Sequence, residues 1–148
     1  MRLSRRGLYA LEALVHLAEA YDRGVVKIHV IAEDESIPEK FLEGILVTLR
    51  NARLVTSVRG REGGYRLRRP PQEIRVGEVV RMIDGPLAPF GDAVELAQRV
   101  KTEARHAGLF DLLLEVRNAS AAILDNTSLQ DLVVRNRRLE ARRERPAR

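Results

Sequence analysis

Arginine side chains are concentrated in one short stretch of this 148-residue chain. Residues 50–75 contain eight arginines and two glutamates, so their net charge is +6, whereas the whole chain carries +5. A guanidinium group presents a planar set of donors that matches phosphate oxygens and the edge of guanine. Such a stretch is typical of a surface that binds nucleic acid, but a solvated protein face has the same composition. Charge alone does not separate these two interpretations.

The residues around these arginines predict a β-hairpin. Residues 54–58 are rich in β-branched side chains, residues 59–64 contain three glycines, and residues 65–69 resume an alternating strand pattern. Because glycine tolerates positive φ, we expect Gly63 and Gly64 to turn the backbone between the strands. Residues at the tip of the hairpin are not needed for a hydrophobic core, so they are candidate nucleic-acid contacts: Arg59, Gly60 and Arg61.

The helix predicted just before the hairpin has a polar face of mixed charge. Over residues 38–51, leucine and isoleucine recur at the i, i+3, i+4 and i+7 positions of one face. On the other face, Lys40 and Arg50 are suited to phosphate or guanine, and Glu43 can accept a hydrogen bond from a cytosine amino group. The solvent face of any amphipathic helix has the same pattern, so this helix alone does not establish DNA binding.

Three helices followed by a hairpin is the order of a winged helix-turn-helix domain. In this fold the third helix enters the major groove, and the wing lies against the DNA backbone or inserts an arginine into the minor groove. We therefore predict a mainly α fold with a small β-hairpin wing, in a DNA-binding domain of residues 1–84 with Arg2 as a further candidate contact. Apolar periodicity predicts its helices over residues 4–21, 28–35, 38–51 and 74–84.

Residues 85–134 are predicted to hold an effector loop and dimerisation helices. The strongest apolar stripe runs over residues 109–124, and little of the winged helix remains to cover it, so we expect it to bury against a second copy of the chain. Residues 90–106 fit a helix or a loop, and a threonine or serine at 127–128 caps a last short helix. The arginine-rich residues 135–148 predict a frayed or disordered tail. The candidate dimerisation residues are Leu109, Leu112, Leu113 and Val116.

The wing sequence resembles that of the Rrf family of bacterial winged-helix regulators. The most specific match is Ser57-Val58-Arg59-Gly60 followed by Gly63-Gly64-Tyr65, and weaker matches extend over nearly the whole chain short of its tail. The resemblance implies a homodimer in which the helix near residues 109–124 crosses its partner. It also implies base reading by residues 38–43 and insertion of Arg59 into the minor groove.

The absence of cysteine is the largest departure from this family. Cluster-binding relatives place three cysteines in the segment that corresponds to residues 86–109, so thiolate ligation of an iron–sulfur cluster is not expected here. His106 lies close to where one such relative supplies another ligand, but a lone imidazole is a poor metal site. Two further residues differ from those common in the family. Lys27 replaces the serine or threonine that usually caps the second helix, and Gly44 replaces a longer polar side chain. No metal and no cofactor are therefore expected.

These features predict a cytoplasmic transcription regulator rather than an enzyme. The chain has no signal-peptide core and no run of about 18 apolar residues, so no membrane partner is expected. No acid–base or nucleophilic constellation converges. The expected partners are double-stranded DNA, bound at a pseudo-palindromic operator, and a second copy of the chain; repression is favoured because occupancy alone covers a promoter. A winged-helix adaptor for protein partners is the alternative, and the effector is left open between a small molecule, a protein and none.

Overall fold

The computed structural model describes residues 2–145, and it confirms a mainly α fold with a β-hairpin. The two strands of the hairpin pair antiparallel, and short 3-10 turns connect several of the helices. Within the described residues, no helix is both long enough and apolar enough to cross a membrane. The elements in chain order are α1 (Arg5–Glu19), α2 (Ile28–Asp34), α3 (Glu39–Asn51), β1 (Val55–Val58), β2 (Gly64–Leu67), α4 (Val76–Asp84), α5 (Ala93–Thr102), α6 (Ala107–Asp125) and α7 (Leu129–Arg143).

The first helix is the centre of the winged-helix core. Its Ala13, Leu14 and Leu17 are buried in a cluster with apolar side chains of α2, α3 and the hairpin. Each fully buried leucine contributes about 1.5–3 kcal/mol relative to an exposed one, so this cluster holds the three elements around α1. The largest buried side chains of this main core are Leu14, Leu17, Ile31, Leu42, Ile45, Leu46, Leu49, Leu54, Val55, Ile74 and Leu129.

Ser4 caps the first helix, as predicted, and also joins it to the end of α4. The Gly7 amide donates to Ser4 Oγ at 2.9 Å, which satisfies one of the otherwise unpaired donors of the first helical turn. The Ser4 amide donates to Asp84 Oδ2 at 2.8 Å, and the Ser4 hydroxyl donates to the other carboxylate oxygen of Asp84. The start of α1 is therefore fixed to the end of α4.

The wing is attached to the domain by a backbone bridge to the segment before α2. Its strands pair in register from Val55 opposite Leu67 towards the tip. Val26 and Tyr65 exchange two backbone hydrogen bonds of 2.8 Å, and the half-buried Tyr65 packs against the main core. The base of the hairpin is thus part of the domain, while residues 58–62 at its tip are exposed.

Helices α5 and α6 pack against each other and form an arm of residues 93–125 beside the winged helix. Residues 92–106 are thus mostly helical, and the Asp92 carboxylate caps α5 by accepting from the Val94 amide at 2.8 Å. Leu96 of α5 and Phe110 of α6 are buried within this arm.

An ion pair and a small apolar cluster attach the arm to the winged helix. Arg81 of α4 donates two hydrogen bonds to Asp125 at the end of α6, with N–O distances of 2.5 and 2.8 Å. Ala121 of α6 is buried in a second apolar cluster with Val80 of α4 and Leu87 of the connecting loop. The far end of α6 is therefore held against α4.

The last helix returns to the main core. Ser128 and Asp131 form a capping box at its start: the Ser128 amide donates to Asp131 Oδ2 at 2.8 Å, and the Asp131 amide donates to Ser128 Oγ at 3.0 Å. Leu129 and Val133 are buried beside α1 in the main core, although the sequence grouped them with the dimerisation helices.

The last helix is also longer than the sequence predicted. A frayed or disordered tail was expected from Arg135, but α7 continues to Arg143. Arginine, leucine, glutamate and alanine all favour the helical state, so this segment forms helix without an apolar stripe to signal it. The end of the predicted tail, residues 146–148, lies outside the described residues.

Candidate nucleic-acid interface

Helix α3 buries one face and exposes the other, as its sequence predicts. Its leucine and isoleucine side chains are buried, whereas Lys40, Glu43 and Arg50 are exposed. At 3.6 residues per turn these three lie within about 80° of one another around the helix axis, with the exposed Val47 between them. The part of this face that we call the reading face, made of Lys40, Glu43 and Val47, has one cation, one carboxylate and one apolar group, which are suited to base edges in a major groove.

Helix α1 supports the edge of α3 beside this face. The Arg6 guanidinium donates to Thr48 Oγ1 at 2.6 Å, and the Thr48 hydroxyl donates to the Gly44 carbonyl at 3.1 Å. The rings of Tyr9 and Phe41 meet edge to face, with centres 5.6 Å apart. The sequence did not predict these contacts of Arg6 and Phe41, because contacts between distant segments leave no local pattern.

Gly60 supplies the positive φ at the wing tip. Its φ is +108°, and its carbonyl accepts from the Gly63 amide at 3.0 Å. The prediction that Gly63 and Gly64 turn the backbone with positive φ is wrong, since neither has it. They are needed for space instead: a Cβ on Gly63 would lie 2.2 Å from the Val58 carbonyl oxygen, and one on Gly64 would lie 2.4 Å from that of Val26.

A basic groove of about 540 Å³ lies between the wing, the start of α2 and the end of α3. Cationic side chains from all three elements line it, and none of its lining residues is acidic. Within residues 2–145, none of these cations takes part in a salt bridge. The groove therefore offers uncompensated positive charge to a phosphate backbone. Its basic lining residues are Lys27, His29, Arg50, Arg59 and Arg61.

Lys27 and His29 are the members of the basic groove that the sequence did not predict. Both are exposed, and the Lys27 side chain makes no capping bond to α2. The backbone bridge between Val26 and Tyr65 brings them beside the wing. That bridge joins segments far apart in the chain, so no local pattern could have signalled it.

The predicted contacts lie in three places. Lys40 and Glu43 lie outside the basic groove, about 10 Å or more from Arg50 along the axis of α3. Arg2 is exposed in the segment before α1 and does not line the groove. The candidate interface thus consists of the reading face on α3 and the basic groove beside the wing. The predicted contacts that meet in the groove are Arg50, Arg59, Gly60 and Arg61.

The arginines of residues 50–75 face more than one side of the wing. Arg66 and Arg68 line a second cavity together with Tyr21 and Asp22. Arg69 is paired with Glu78 of α4, with an N–O distance of 2.5 Å. The charge that the sequence concentrates in this stretch is therefore divided, and only part of it belongs to the basic groove.

The residues of this chain do not fit an iron–sulfur cluster. Clusters are held by thiolates, and the chain has no cysteine. Within the described part of the chain, no three His, Asp or Glu side chains are arranged to hold a metal ion. His16 Nδ1 lies 2.9 Å from Glu35 Oε1 and joins α1 to the end of α2, while His106 is exposed at the start of α6.

The outer face of α6 is apolar and exposed. Leu109, Leu112 and Val116 have exposed fractions of 52%, 54% and 39%, and Leu113 beside them is half-buried. Ile123, which is 66% exposed, continues this outer face two turns further along the helix. All four predicted dimerisation residues therefore lie together, on a face that no other part of residues 2–145 buries.

Comparison with known proteins agrees with this architecture. The family model Rrf2, described as iron-dependent transcriptional regulators, matches residues 3–135. The HTH-type transcriptional regulator CymR of Bacillus subtilis is 34% identical over 132 residues, which is 89% of this chain and 89% of that protein. Rv1287 of Mycobacterium tuberculosis strain H37Rv, named as an HTH-type transcriptional regulator, is 42% identical over 134 residues, which is 89% of this chain and 81% of that protein.

Solved structures show the same fold. That of CymR, the global cysteine regulator of B. subtilis, superimposes with a TM-score of 0.76 at 32% identity, over 90% of this chain and 97% of that one. That of T. potens IscR gives a TM-score of 0.69 at 28% identity, over 100% of this chain and 93% of that one. The chain therefore belongs to the Rrf2 family of winged helix-turn-helix proteins, and it is a DNA-binding transcription regulator rather than an enzyme.

Proposed function

We propose that the protein is a homodimer that binds a pseudo-palindromic operator and represses transcription from the promoter it covers. The observation that carries this proposal is the exposed reading face on α3 next to the basic groove. Lys40 and Glu43 contact base edges in the major groove, and Arg59 enters the adjacent minor groove. The remaining predicted contacts hold the phosphate backbone: Arg2, Arg50, Gly60 and Arg61.

The outer face of α6 supports the homodimer. A contiguous apolar face on one helix is unfavourable in water, and a twofold axis lets two copies cover each other with the same residues. Each leucine buried in this way contributes about 1.5–3 kcal/mol. A twofold dimer also presents two copies of α3 to half-sites one DNA turn apart, which is why the operator is expected to be pseudo-palindromic.

Selection from randomised duplex DNA tests this proposal. The retained fragments should contain an inverted repeat with half-site centres about 10 base pairs apart, or a multiple of that spacing. Affinity should fall steeply with salt, because each phosphate contact releases counterions. Fragments without a common sequence, or binding that ignores salt, would instead favour a winged-helix adaptor that contacts proteins.

Repression follows from the same geometry. A dimer bound across a promoter excludes polymerase by occupancy, without a contact to the polymerase itself. In vitro transcription from a template whose promoter overlaps the selected operator should therefore fall as protein is added, and activation there would contradict repression. Because its ligand in this proposal is chromosomal DNA, we place the protein in the cytoplasm.

We also propose that this family member works without an iron–sulfur cluster, since it has no thiolate to bind one. Protein purified without oxygen should be colourless and contain no stoichiometric iron. Mild oxidants should leave its DNA affinity unchanged. Visible absorbance accompanied by bound iron and sulfide would overturn this proposal.

A further inference from the structure

We propose that α7 carries a second surface for the nucleic-acid backbone, an arginine stripe formed by Arg135, Arg138 and Arg142. This inference rests on the proposed DNA binding and adds a contact outside the reading face and the basic groove. All three side chains are exposed, and none of them forms a salt bridge within the part of the chain that the structure describes.

The helical period places the arginine stripe on the outer side of α7. The three arginines lie within about 60° of one another, and Leu129 and Val133, which are buried in the main core, lie on roughly the opposite side. The stripe extends over about 10 Å of helix at 1.5 Å per residue. One DNA strand carries a phosphate about every 3.4 Å of duplex axis, so a stripe of this length can reach more than one phosphate. The guanidinium fork can bind each phosphate through two hydrogen bonds.

Both signs of charge occur on the remaining sides of this part of α7. Arg137, Glu140 and Arg143 lie about 80° or more from the arginine stripe, and Glu144 follows as the C-cap. On the stripe side, the preceding acidic residue is Asp131, whose carboxylate accepts from the Ser128 amide in the capping box. Arginines that only kept the helix soluble would not need this segregation, so the charge pattern favours a polyanionic partner.

The helix that carries the arginine stripe is fixed to the winged helix at its start. The Leu129 amide donates to the Ile74 carbonyl at 3.0 Å, and the Val76 amide donates to the Thr127 carbonyl at 2.9 Å. These bonds and the capping box fix the start of α7 next to the start of α4. A stripe carried on a helix with an anchored start loses less conformational freedom on binding than a free tail does, so it is suited to a contact near the operator.

Two double variants with the same change in charge test the proposal. Arg138→Gln with Arg142→Gln removes two members of the stripe, and Arg137→Gln with Arg143→Gln removes two arginines from other sides of the same helix. The full chain is titrated with the selected operator, trimmed to its inverted repeat, and with the same duplex lengthened by about 20 base pairs at each end. We expect the longer duplex to bind the wild type and the control variant more tightly, and the stripe variant to lose this gain. For the stripe variant on the long duplex, the slope of log affinity against log salt concentration (the salt slope) should fall by about two units per protomer.

A bridging assay separates the two places where that backbone can lie. Protein bound to immobilised operator is tested for its ability to capture a second, free duplex. If only the stripe variant loses this capture, the proposal is also supported, and the stripe is assigned to a separate duplex. The proposal would be overturned if both double variants behaved alike in all assays. It would also be overturned if the stripe variant lost only binding to anionic lipid vesicles or to polyglutamate. Failure of the wild-type chain to bind any duplex would instead overturn the proposed function.

Discussion

The interface of the winged helix and the outer face of α6 are both exposed in a single chain, but their chemistry is opposite. The basic groove is lined by lysine and arginine without an acidic residue, and the outer face of α6 by leucine, valine and isoleucine. Exposed charge is well solvated, so the groove can persist in the free protein until phosphates replace its counterions. An apolar face is unfavourable in water and is expected to stay covered by a second copy. The first surface is suited to reversible binding and the second to lasting assembly.

Breaking the outer face of α6 should have the largest effect. Leu109→Glu combined with Leu112→Glu puts two carboxylates into the proposed dimer interface, where burying an unpaired charge costs several kcal/mol. We expect monomers in sedimentation velocity at micromolar concentration. Operator affinity should fall by a factor on the order of 100 or more, because the two half-sites no longer bind as a pair.

The matched control for this variant is Asp111→Asn, an exposed residue about 100° or more from the outer face on the same helix. It should leave assembly and DNA affinity unchanged. If the double glutamate variant still sedimented as a dimer with normal affinity, the interface would have to lie elsewhere on the chain.

Removing one charge from the basic groove should have an intermediate effect. Arg59→Ala is expected to weaken binding to most sequences by a factor on the order of 10 for each half-site, since a hydrogen bond to a charged group is lost in each. The loss should be greater for A·T-rich flanks, where the minor groove is narrow, and the salt slope should fall by about one unit per half-site. Arg66→Ala, on the side of the hairpin that lines the second cavity, is the control and should change little.

Removing Glu43 should change specificity more than affinity. A carboxylate is repelled by phosphates, so its place on the reading face is useful at a base edge and not at the backbone. Glu43→Ala should relax discrimination at one base pair per half-site by about 1–3 kcal/mol and leave overall affinity similar or higher. Titration against single-base variants of the operator measures this. The division between reading face and basic groove would fail if Glu43→Ala and Arg59→Ala gave the same pattern of losses.

The sequence predicted those parts of the fold whose residues repeat locally. The apolar period of α1, α3 and α6, the alternation of the hairpin and the serine at position 4 all carry local signals, and the structure confirms them. The sequence does not decide between helix and loop for α5, because α5 buries Leu96 and one buried side chain makes no stripe. It does not predict the full length of α7 for a similar reason, since Val133 is the last residue that α7 buries.

The parts of the interface that were not predicted depend on contacts between distant segments. Lys27 and His29 join the basic groove through the bridge of Val26 to Tyr65, which a sequence read locally cannot show. The sequence shows how many arginines residues 50–75 contain, but not which side of the hairpin each one occupies. Arg66 and Arg68 line the second cavity and not the basic groove because of how the two strands pair. Charge in a sequence therefore indicates the partner more reliably than it indicates which residues touch that partner.

Breaking the ion pair that joins the arm to the winged helix should have the smallest effect. The hydrogen bonds from Arg81 lower the pKa of the Asp125 carboxyl below its ordinary value of 3.8. Because the pKa is lowered in the folded state, the pair stabilises the fold fully above that ordinary value, and this stabilisation is lost as pH falls through the lowered pKa. The two side chains are 41% and 42% exposed, so solvent screens the pair and Asp125→Asn should cost only about 0.5 kcal/mol near neutral pH.

Urea unfolding of the wild type and of Asp125→Asn measures this difference, with both proteins at the same protomer concentration because dimer stability depends on concentration. The difference should be present near pH 7 and vanish in strong acid, where the wild-type carboxyl is protonated and resembles the amide. Operator affinity near neutral pH should be the same for both proteins, since the pair lies outside the reading face and the basic groove. A variant that lost affinity along with stability would show that the arm positions the DNA-binding surface, so the two regions would have to be treated as one coupled unit.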